Sequence, residues 1–68
     1  MTKSKMLNEI IDKSGIKRGY IAQQMGLSRF GLLKKINGEN EFKANEIQKM
    51  CNILEITNLE KKEEIFFD

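Results

Sequence analysis

With 68 residues, the chain is long enough for one small domain, which buries only about 60% of the surface that its unfolded chain exposes. A deep catalytic cleft between two lobes is therefore excluded. The absence of histidine removes the commonest general base and metal ligand, and the single cysteine, Cys51, cannot form an internal disulfide. We expect a single domain over residues 1–68 with no enzymatic activity, cofactor, metal site or small-molecule substrate.

The formal net charge of +2 combines two halves of opposite sign. Residues 1–38 hold eight Lys/Arg and two acids, whereas residues 39–68 hold four Lys and eight acids. Residues 13–38 carry six cations and no acid, in a protein that is 32% charged. An uninterrupted basic stretch of this kind indicates a polyanion as the partner of one face.

Apolar residues recur at intervals of three and four rather than two, which predicts helices throughout the chain. The first helix is expected from Ser4, as its N-cap, to Lys13, with Gly15 as the left-handed residue that ends it. A second helix is expected from about Arg18 to Met25 and is closed by Gly26.

Three further helices follow the same signals. The third is expected to be capped by Ser28 and to reach Ile36, where Asn37-Gly38 stops it. The fourth covers about residues 44–54, and its apolar stripe includes Cys51 as an inert core thiol. The fifth opens with a capping box at residues 57–60 and ends in Ile65-Phe66-Phe67.

Residues 18–36 contain the informative pattern. Two short helices are separated only by Gly26-Leu27-Ser28, and glycine permits the positive φ of a sharp turn. Ala22 is small, as is required where two helices cross closely, and the shared apolar contact is assigned to Ile21, Met25, Leu27 and Leu32. The pattern is typical of a helix-turn-helix, which places one helix in the DNA major groove.

The chain also resembles a known family. The run Tyr20-Ile21-Ala22-Gln23-Gln24-Met25-Gly26-Leu27-Ser28-Arg29 followed by Asn37-Gly38 is similar to the phage lambda repressor/Cro-type helix-turn-helix family. Together with Lys35-Ile36, Glu41-Phe42-Lys43, Glu46-Ile47 and Glu64-Ile65-Phe66-Phe67, it resembles small Cro/CI-like regulators of phages of Gram-positive bacteria. The resemblance implies an all-α, five-helix lambda-repressor-like fold and binding to double-stranded operator DNA, usually as a homodimer.

The resemblance also implies roles for individual residues. Ser28, Arg29 and Phe30 match the turn that points at base edges, and Lys34 matches a further position that faces the groove. Leu33 is placed with them, although a core position is its alternative. Matching positions that contact phosphate are Arg18, Asn37, Asn40 and Lys43.

The residues themselves add to these roles. Arg29 is the best candidate base reader, because bidentate pairing of arginine with guanine is the commonest specific contact. Lys17, Arg18 and Lys35 are expected to neutralise phosphates as a group. In the family that the chain resembles, a polar reader is commoner at the position of Phe30. We therefore expect Phe30 to be exposed and to make an apolar contact, such as one with a thymine methyl group.

Two questions stay open at this point. The terminal Ile65, Phe66 and Phe67 either complete the core of the monomer or form part of a dimer contact. The function is expected to be that of a DNA-binding transcriptional repressor in the bacterial host cytoplasm, since no segment resembles a signal peptide or a membrane span. The alternative is a helix-turn-helix modulator that binds a larger protein, such as a second phage repressor.

Overall fold

The computed structural model describes residues 2–67, and within them the secondary structure is entirely helical. The helices are α1 (Ser4–Ser14), α2 (Arg18–Met25), α3 (Arg29–Ile36), α4 (Ala44–Leu54) and α5 (Leu59–Phe66). The expected all-α class and the expected order of five helices are confirmed. None of the helices in the described part of the chain is long and apolar enough to span a membrane.

Local sequence signals set several helix ends. Gly15 and Gly26 follow α1 and α2 with φ angles of 74° and 70°, in the left-handed region that a residue with a Cβ adopts only with strain. Ser28 caps α3, because its Oγ accepts a hydrogen bond from the backbone N–H of Gly31 at 2.9 Å. These three ends agree with the sequence-based prediction.

Two predicted caps are wrong by one residue. Ser4 is the first residue of α1, and Lys3 takes the N-cap position, where its backbone N–H donates to the carbonyl of Ile65. Helix α5 is capped by Asn58 rather than by Thr57, since the Asn58 Oδ1 accepts from the N–H groups of Glu60 and Lys61 at 2.8 and 3.2 Å. Thr57 and Asn58 both offer a side-chain acceptor for a helix N-terminus, and Asn58 is the one that caps α5. At the start of α1, no side chain of the described residues caps the helix.

The five helices surround a single hydrophobic core. Helix α2 packs against α3 and α4, while α1 contacts α3, α4 and α5. The largest fully buried side chains come from all five helices: Leu7, Ile11, Ile21, Leu32, Ile36, Met50 and Ile65. The core therefore fixes the position of α3 from both sides, through α2 and through α1.

The last three apolar residues of the chain, 65–67, differ in how far they are exposed to solvent. Ile65 and Phe66 are 0% and 5% exposed, and the Phe66 ring packs edge-on against Phe42 with the ring centroids 5.5 Å apart. Of the two alternatives for Ile65 and Phe66, the structure supports the first, because the monomer's own core buries them. Phe67 is 61% exposed and is the one of the three that is available to a partner.

Cys51 lies in this core, as the sequence predicts, and is 5% exposed. Burial raises the pKa of its thiol, and the positive charge of Lys62 acts in the opposite direction. A raised pKa disfavours the thiolate, which is the reactive form of cysteine. Cys51 is thus a packing residue and not a nucleophile.

Candidate nucleic-acid interface

The turn between α2 and α3 fixes the relative position of the two helices. The backbone N–H of Gly26 donates to the carbonyl of Gln23, and that of Leu27 donates to the carbonyl of Ala22 at 2.9 Å. Ala22 is 1% exposed, consistent with the small residue expected where the two helices approach each other. Leu27 is partly buried against the core, so the turn is anchored by an apolar contact as well as by hydrogen bonds.

Helix α3 turns one side inward and presents the other to solvent. Leu32 and Ile36 are 1% and 0% exposed, whereas Phe30 is 66% and Leu33 is 44% exposed. A core position for Leu33 is therefore excluded. Together with Arg29 and Lys34, the exposed Phe30 and Leu33 form what we call the α3 face.

The charged residues of the α3 face are held in place by their neighbours. The Lys34 Nζ lies 4.9 Å from the centroid of the Phe30 ring, in a cation–π contact. The Arg29 side chain runs along Gly19 of α2, where an added Cβ would lie 3.7 Å from its Cδ and Nε atoms. The Phe30 ring thus restricts the position of the Lys34 ammonium group, and the backbone of α2 at Gly19 restricts the Arg29 side chain.

A recess of about 290 Å³ opens beside the α3 face. Arg18 and Arg29 line its polar edge, and the remaining lining is apolar, from Phe30, Leu32, Leu33 and Ile36. Ser28 stands at the start of the same helix with its Oγ accepting the capping hydrogen bond, which leaves its O–H free to donate. The structure therefore brings the five residues that the sequence assigns to base contact, 28–30, 33 and 34, onto one helix and its cap.

Arg18 is tied to α1. Its Nη2 donates to Asn8 Oδ1 at 2.7 Å, and its Nη1 lies 3.1 Å from Asp12 Oδ1. The Arg18 side chain is 34% exposed, so its positive charge is shared between solvent and the Asp12 carboxylate. Contact of Arg18 with phosphate remains a prediction. Its pairing with Asn8 and Asp12 of α1 gives this arginine a structural role as well.

Lys35 occupies a different position from the one expected. Its Nζ lies 2.5 Å from Glu46 Oε1 of α4, and the two side chains are 12% and 8% exposed. An ammonium group so enclosed and so paired does not face a phosphate backbone. The prediction that Lys35 contacts phosphate is therefore withdrawn, because its charge links α3 to α4 inside the protein.

Glu46 is the residue that makes this link possible. Its Oε1 also accepts a hydrogen bond from the backbone N–H of Lys43 at 2.8 Å, which satisfies one free donor at the start of α4. Burial by itself raises the pKa of the Glu46 carboxyl, but the hydrogen bonds from Lys35 and Lys43 and their charges outweigh it and lower that pKa. Glu46 is thus ionised at neutral pH and joins the end of α3 to the start of α4.

The segment between α3 and α4 carries the other expected phosphate contacts. Asn37, Asn40 and Lys43 are all exposed, and the N–H groups of Glu39 and Asn40 donate to the Lys34 carbonyl at 2.9 and 3.4 Å. Gly38 allows this turn with a φ of 83°. The exposed acids at 39 and 41 flank Asn40, so the positive surface ends near residue 38.

Two lysines stand at helix N-caps. Lys17 precedes α2 and Lys43 precedes α4, and both are exposed with extended backbone angles. A cation at a helix N-terminus has the same sign as the positive end of the helix dipole, so its placement there is unfavourable for the isolated protein. At the start of α4 the Glu46 carboxylate already offsets this repulsion. At the start of α2, a bound anion would relieve it.

Sequence reasoning missed the residues that hold the interface in place. Asn8 and Asp12 pair with Arg18, Gly19 lies beside Arg29, and Glu46 pairs with Lys35. Each of these pairs is separated by six or more residues in the sequence, so the partners meet only when the helices pack. Leu59, which is 70% exposed on α5, was also missed. The capping pattern at residues 57–60 indicates where α5 starts but carries no signal for its exposed surface.

The described residues define a small, all-helical domain with one exposed helix face that combines cations and apolar side chains. Residues 2–68 match the family described as Protein of unknown function (DUF739), and the chain belongs to that family. No curated protein and no solved structure matches the sequence.

Proposed function

We propose that this protein is a sequence-specific DNA-binding transcriptional regulator of the phage Cro/CI type. In this proposal α2 and α3 act as a helix-turn-helix, and α3 enters the major groove of operator DNA. The observation that carries it is the α3 face, which is exposed, cationic at Arg29 and Lys34, and set in a stretch of 26 residues without an acid. A B-DNA major groove admits one such helix.

Phosphate contact is assigned to fewer residues than the sequence suggested. Lys17 and Lys43 are the two exposed cations in the phosphate set, Asn37 and Asn40 add neutral donors, and Arg18 contributes through the exposed part of its side chain. The placement of Lys17 at the N-cap of α2 supports this role, because the first turn of α2 has no acid and an anion there is favoured by both the ammonium group and the helix.

We propose that the protein occupies its operator as a homodimer. The longest dimension of the domain is 28 Å, which is shorter than the roughly 34 Å between successive major-groove half-sites. One copy therefore reads one half-site, and a two-fold pair would read a palindrome. Leu59 and Phe67, at 70% and 61% exposed, line a groove beside α4 and are the apolar residues available for that contact.

The alternative function is a modulator that binds a larger protein, such as a second repressor. The same groove, with Leu59, Phe67 and three glutamates at 60, 63 and 64, is the observation that favours it. Such a surface suits a partner with apolar and basic side chains. In this case the basic face of α3 would assist binding rather than read a sequence.

A salt-titrated selection on random duplex DNA, with this protein alone, tests the proposal. Four phosphates neutralised by a dimer give a log–log slope of affinity against salt of about −4. Lys17→Ala is expected to make the slope shallower by about 0.9 per protomer. Lys49→Ala, which removes an equally exposed lysine from α4, serves as the matched control and should leave the slope unchanged. A slope near zero, or no binding without a partner protein, would favour the modulator.

A further inference from the structure

The exposed surface of α3 has an unusual chemical composition for a helix proposed to read bases. Residues 29–36 include arginine, lysine, phenylalanine and leucine but no Asn, Gln, Asp or Glu. The exposed side chains of this helix are those of Arg29, Phe30 and Leu33, and the half-buried Lys34 places its ammonium group over the Phe30 ring. The helix can therefore donate hydrogen bonds and make apolar contacts, but its side chains accept none.

Each base pair presents a different set of groups in the major groove. Guanine presents two acceptors, which suit arginine and lysine, and thymine presents a methyl group, which suits an apolar side chain. Adenine is read by a carboxamide and cytosine by an acceptor, and α3 has neither. The α3 face is thus matched to guanine and to the methyl group of thymine.

The geometry of the face supports an apolar contact and not merely an exposed aromatic residue. Phe30 and Leu33 flank the recess beside α3, and the buried Leu32 and Ile36 contribute to its lining. The Lys34 Nζ lies over the Phe30 ring, 4.9 Å from its centroid, and leaves two thirds of the side chain exposed. A methyl group that projects from a base edge would find apolar atoms on the ring and on Leu33.

We infer that Phe30 and Leu33 determine operator specificity by contacting thymine methyl groups, next to guanines that Arg29 and Lys34 bind. This inference rests on the proposed function, because it applies only if α3 lies in the major groove. It goes further by naming the base chemistry that the operator half-site must present. Removal of a contacted methyl group should weaken binding, although no hydrogen bond changes.

The experiment uses deoxyuridine, which lacks only the C5-methyl group of thymidine. A duplex selected from random DNA by the wild-type protein is resynthesised with deoxyuridine in place of each thymidine in turn, and affinities are measured by fluorescence anisotropy. A contacted methyl should be worth about fourfold in affinity, since one buried CH₂ group contributes roughly 0.8 kcal/mol. In Phe30→Ala or Leu33→Ala, the thymine-to-uracil ratio at the contacted position should fall toward one.

Lys49→Ala is the control, because Lys49 is exposed on α4 and has no assigned contact with DNA or with a second copy of the chain. It should keep the thymine-to-uracil ratio of the wild type, whatever it does to overall affinity. Circular dichroism checks that each variant is folded, and the exposure of Phe30 favours a folded Phe30→Ala.

The outcomes separate the inference from the proposed function. If the protein selects a specific site but uracil substitution changes no affinity, the methyl contact is wrong and DNA binding stands. The assignment to Phe30 and Leu33 is also wrong if uracil weakens both variants as much as the wild type. If no specific duplex is selected, the proposed function itself fails, and the inference fails with it.

Discussion

Replacement of Glu46 by glutamine tests how strongly the link between α3 and α4 stabilises the domain. Glutamine keeps the shape of the side chain, and its carbonyl oxygen can still accept from the Lys43 N–H. The Lys35 ammonium, however, loses the carboxylate 2.5 Å away while its side chain is only 12% exposed. Removal of one partner of a fully buried ion pair costs about 3–5 kcal/mol, and the residual exposure of Lys35 reduces the expected loss to about 2–4 kcal/mol.

Thermal unfolding at neutral pH, followed by circular dichroism, measures this loss. In a domain of 60–100 residues, 1 kcal/mol corresponds to about 4–8 °C in Tm, so a loss of about 2–4 kcal/mol in Glu46→Gln should lower Tm by roughly 8–32 °C. The control is the double variant Lys35→Met/Glu46→Leu, which removes both charges and keeps similar volumes. Its free energy of unfolding should lie within about 2 kcal/mol of the wild-type value, because no buried charge is left unpaired.

The pH dependence of stability is a second test of the ion pair between Lys35 and Glu46. The pKa of Glu46 in the folded protein is below its ordinary value of 4.5. The stabilisation is therefore complete above pH 4.5 and is lost as the pH falls through the lowered folded-state pKa. The free energy of unfolding of the wild-type protein should fall in that acid range. The contribution of Glu46 to this fall should be missing in Glu46→Gln, because glutamine does not titrate.

A small effect would contradict the reasoning. If Glu46→Gln lowers Tm by less than about 4 °C, the pair is hydrated and contributes no more than a surface ion pair. Lys35 would then be free to reach solvent and would return to the set of phosphate contacts. In that case Lys35→Met should also reduce the salt dependence of DNA binding. If the pair is buried as described, the double variant should show the same salt dependence as the wild type.

Four further substitutions test individual features of the structure. Gly19→Ala should stabilise the domain by about 0.4–1 kcal/mol in urea unfolding, since the new Cβ meets Arg29 at an ordinary contact distance; destabilisation would show that Arg29 cannot yield. Glu55→Gly should raise the unfolding midpoint by relieving about 1 kcal/mol of left-handed strain at its φ of 56°, and an unchanged midpoint would argue against that strain. Phe67→Ser should give a folded protein by circular dichroism with weakened self-association by sedimentation, whereas Phe66→Ser should unfold it; the reverse order would exchange their assigned positions.

The helix boundaries were predictable because their causes are local. Gly15, Gly26 and Ser28 act through their own backbone freedom or through a hydrogen bond three residues away. Such signals are present in any window of sequence. The errors occurred where two neighbouring residues offer the same local chemistry, as Thr57 and Asn58 do at the start of α5.

The position of the candidate site on α3 was predictable from the sequence. Which of its cations pair with acids inside the protein was not. The pattern of apolar residues placed Phe30 on the outside of α3, and the structure confirms its exposure. The partner of Lys35 could not be predicted, because Glu46 lies eleven residues away and reaches it only through the packing of α4 against the rest of the domain. The same limit applies to Phe66 and Phe67, since the rotation of α5 decides which of the two adjacent rings is buried.

These pairings change the meaning of the basic half of the chain. Residues 1–38 carry a net charge of +6, but Lys35 is enclosed with an acid and Arg18 shares its charge with Asp12. Under the proposed function, few cations per protomer then face phosphate, so sequence-independent attraction to DNA is modest. Discrimination between DNA sequences must then come from the α3 face. Occupancy of the operator must come from the dimer, because binding of one half-site places the second protomer at a high effective concentration near the other half-site. Under this proposal, the affinity of the domain for its operator depends on Leu59 and Phe67 as much as its specificity depends on Arg29 and Phe30.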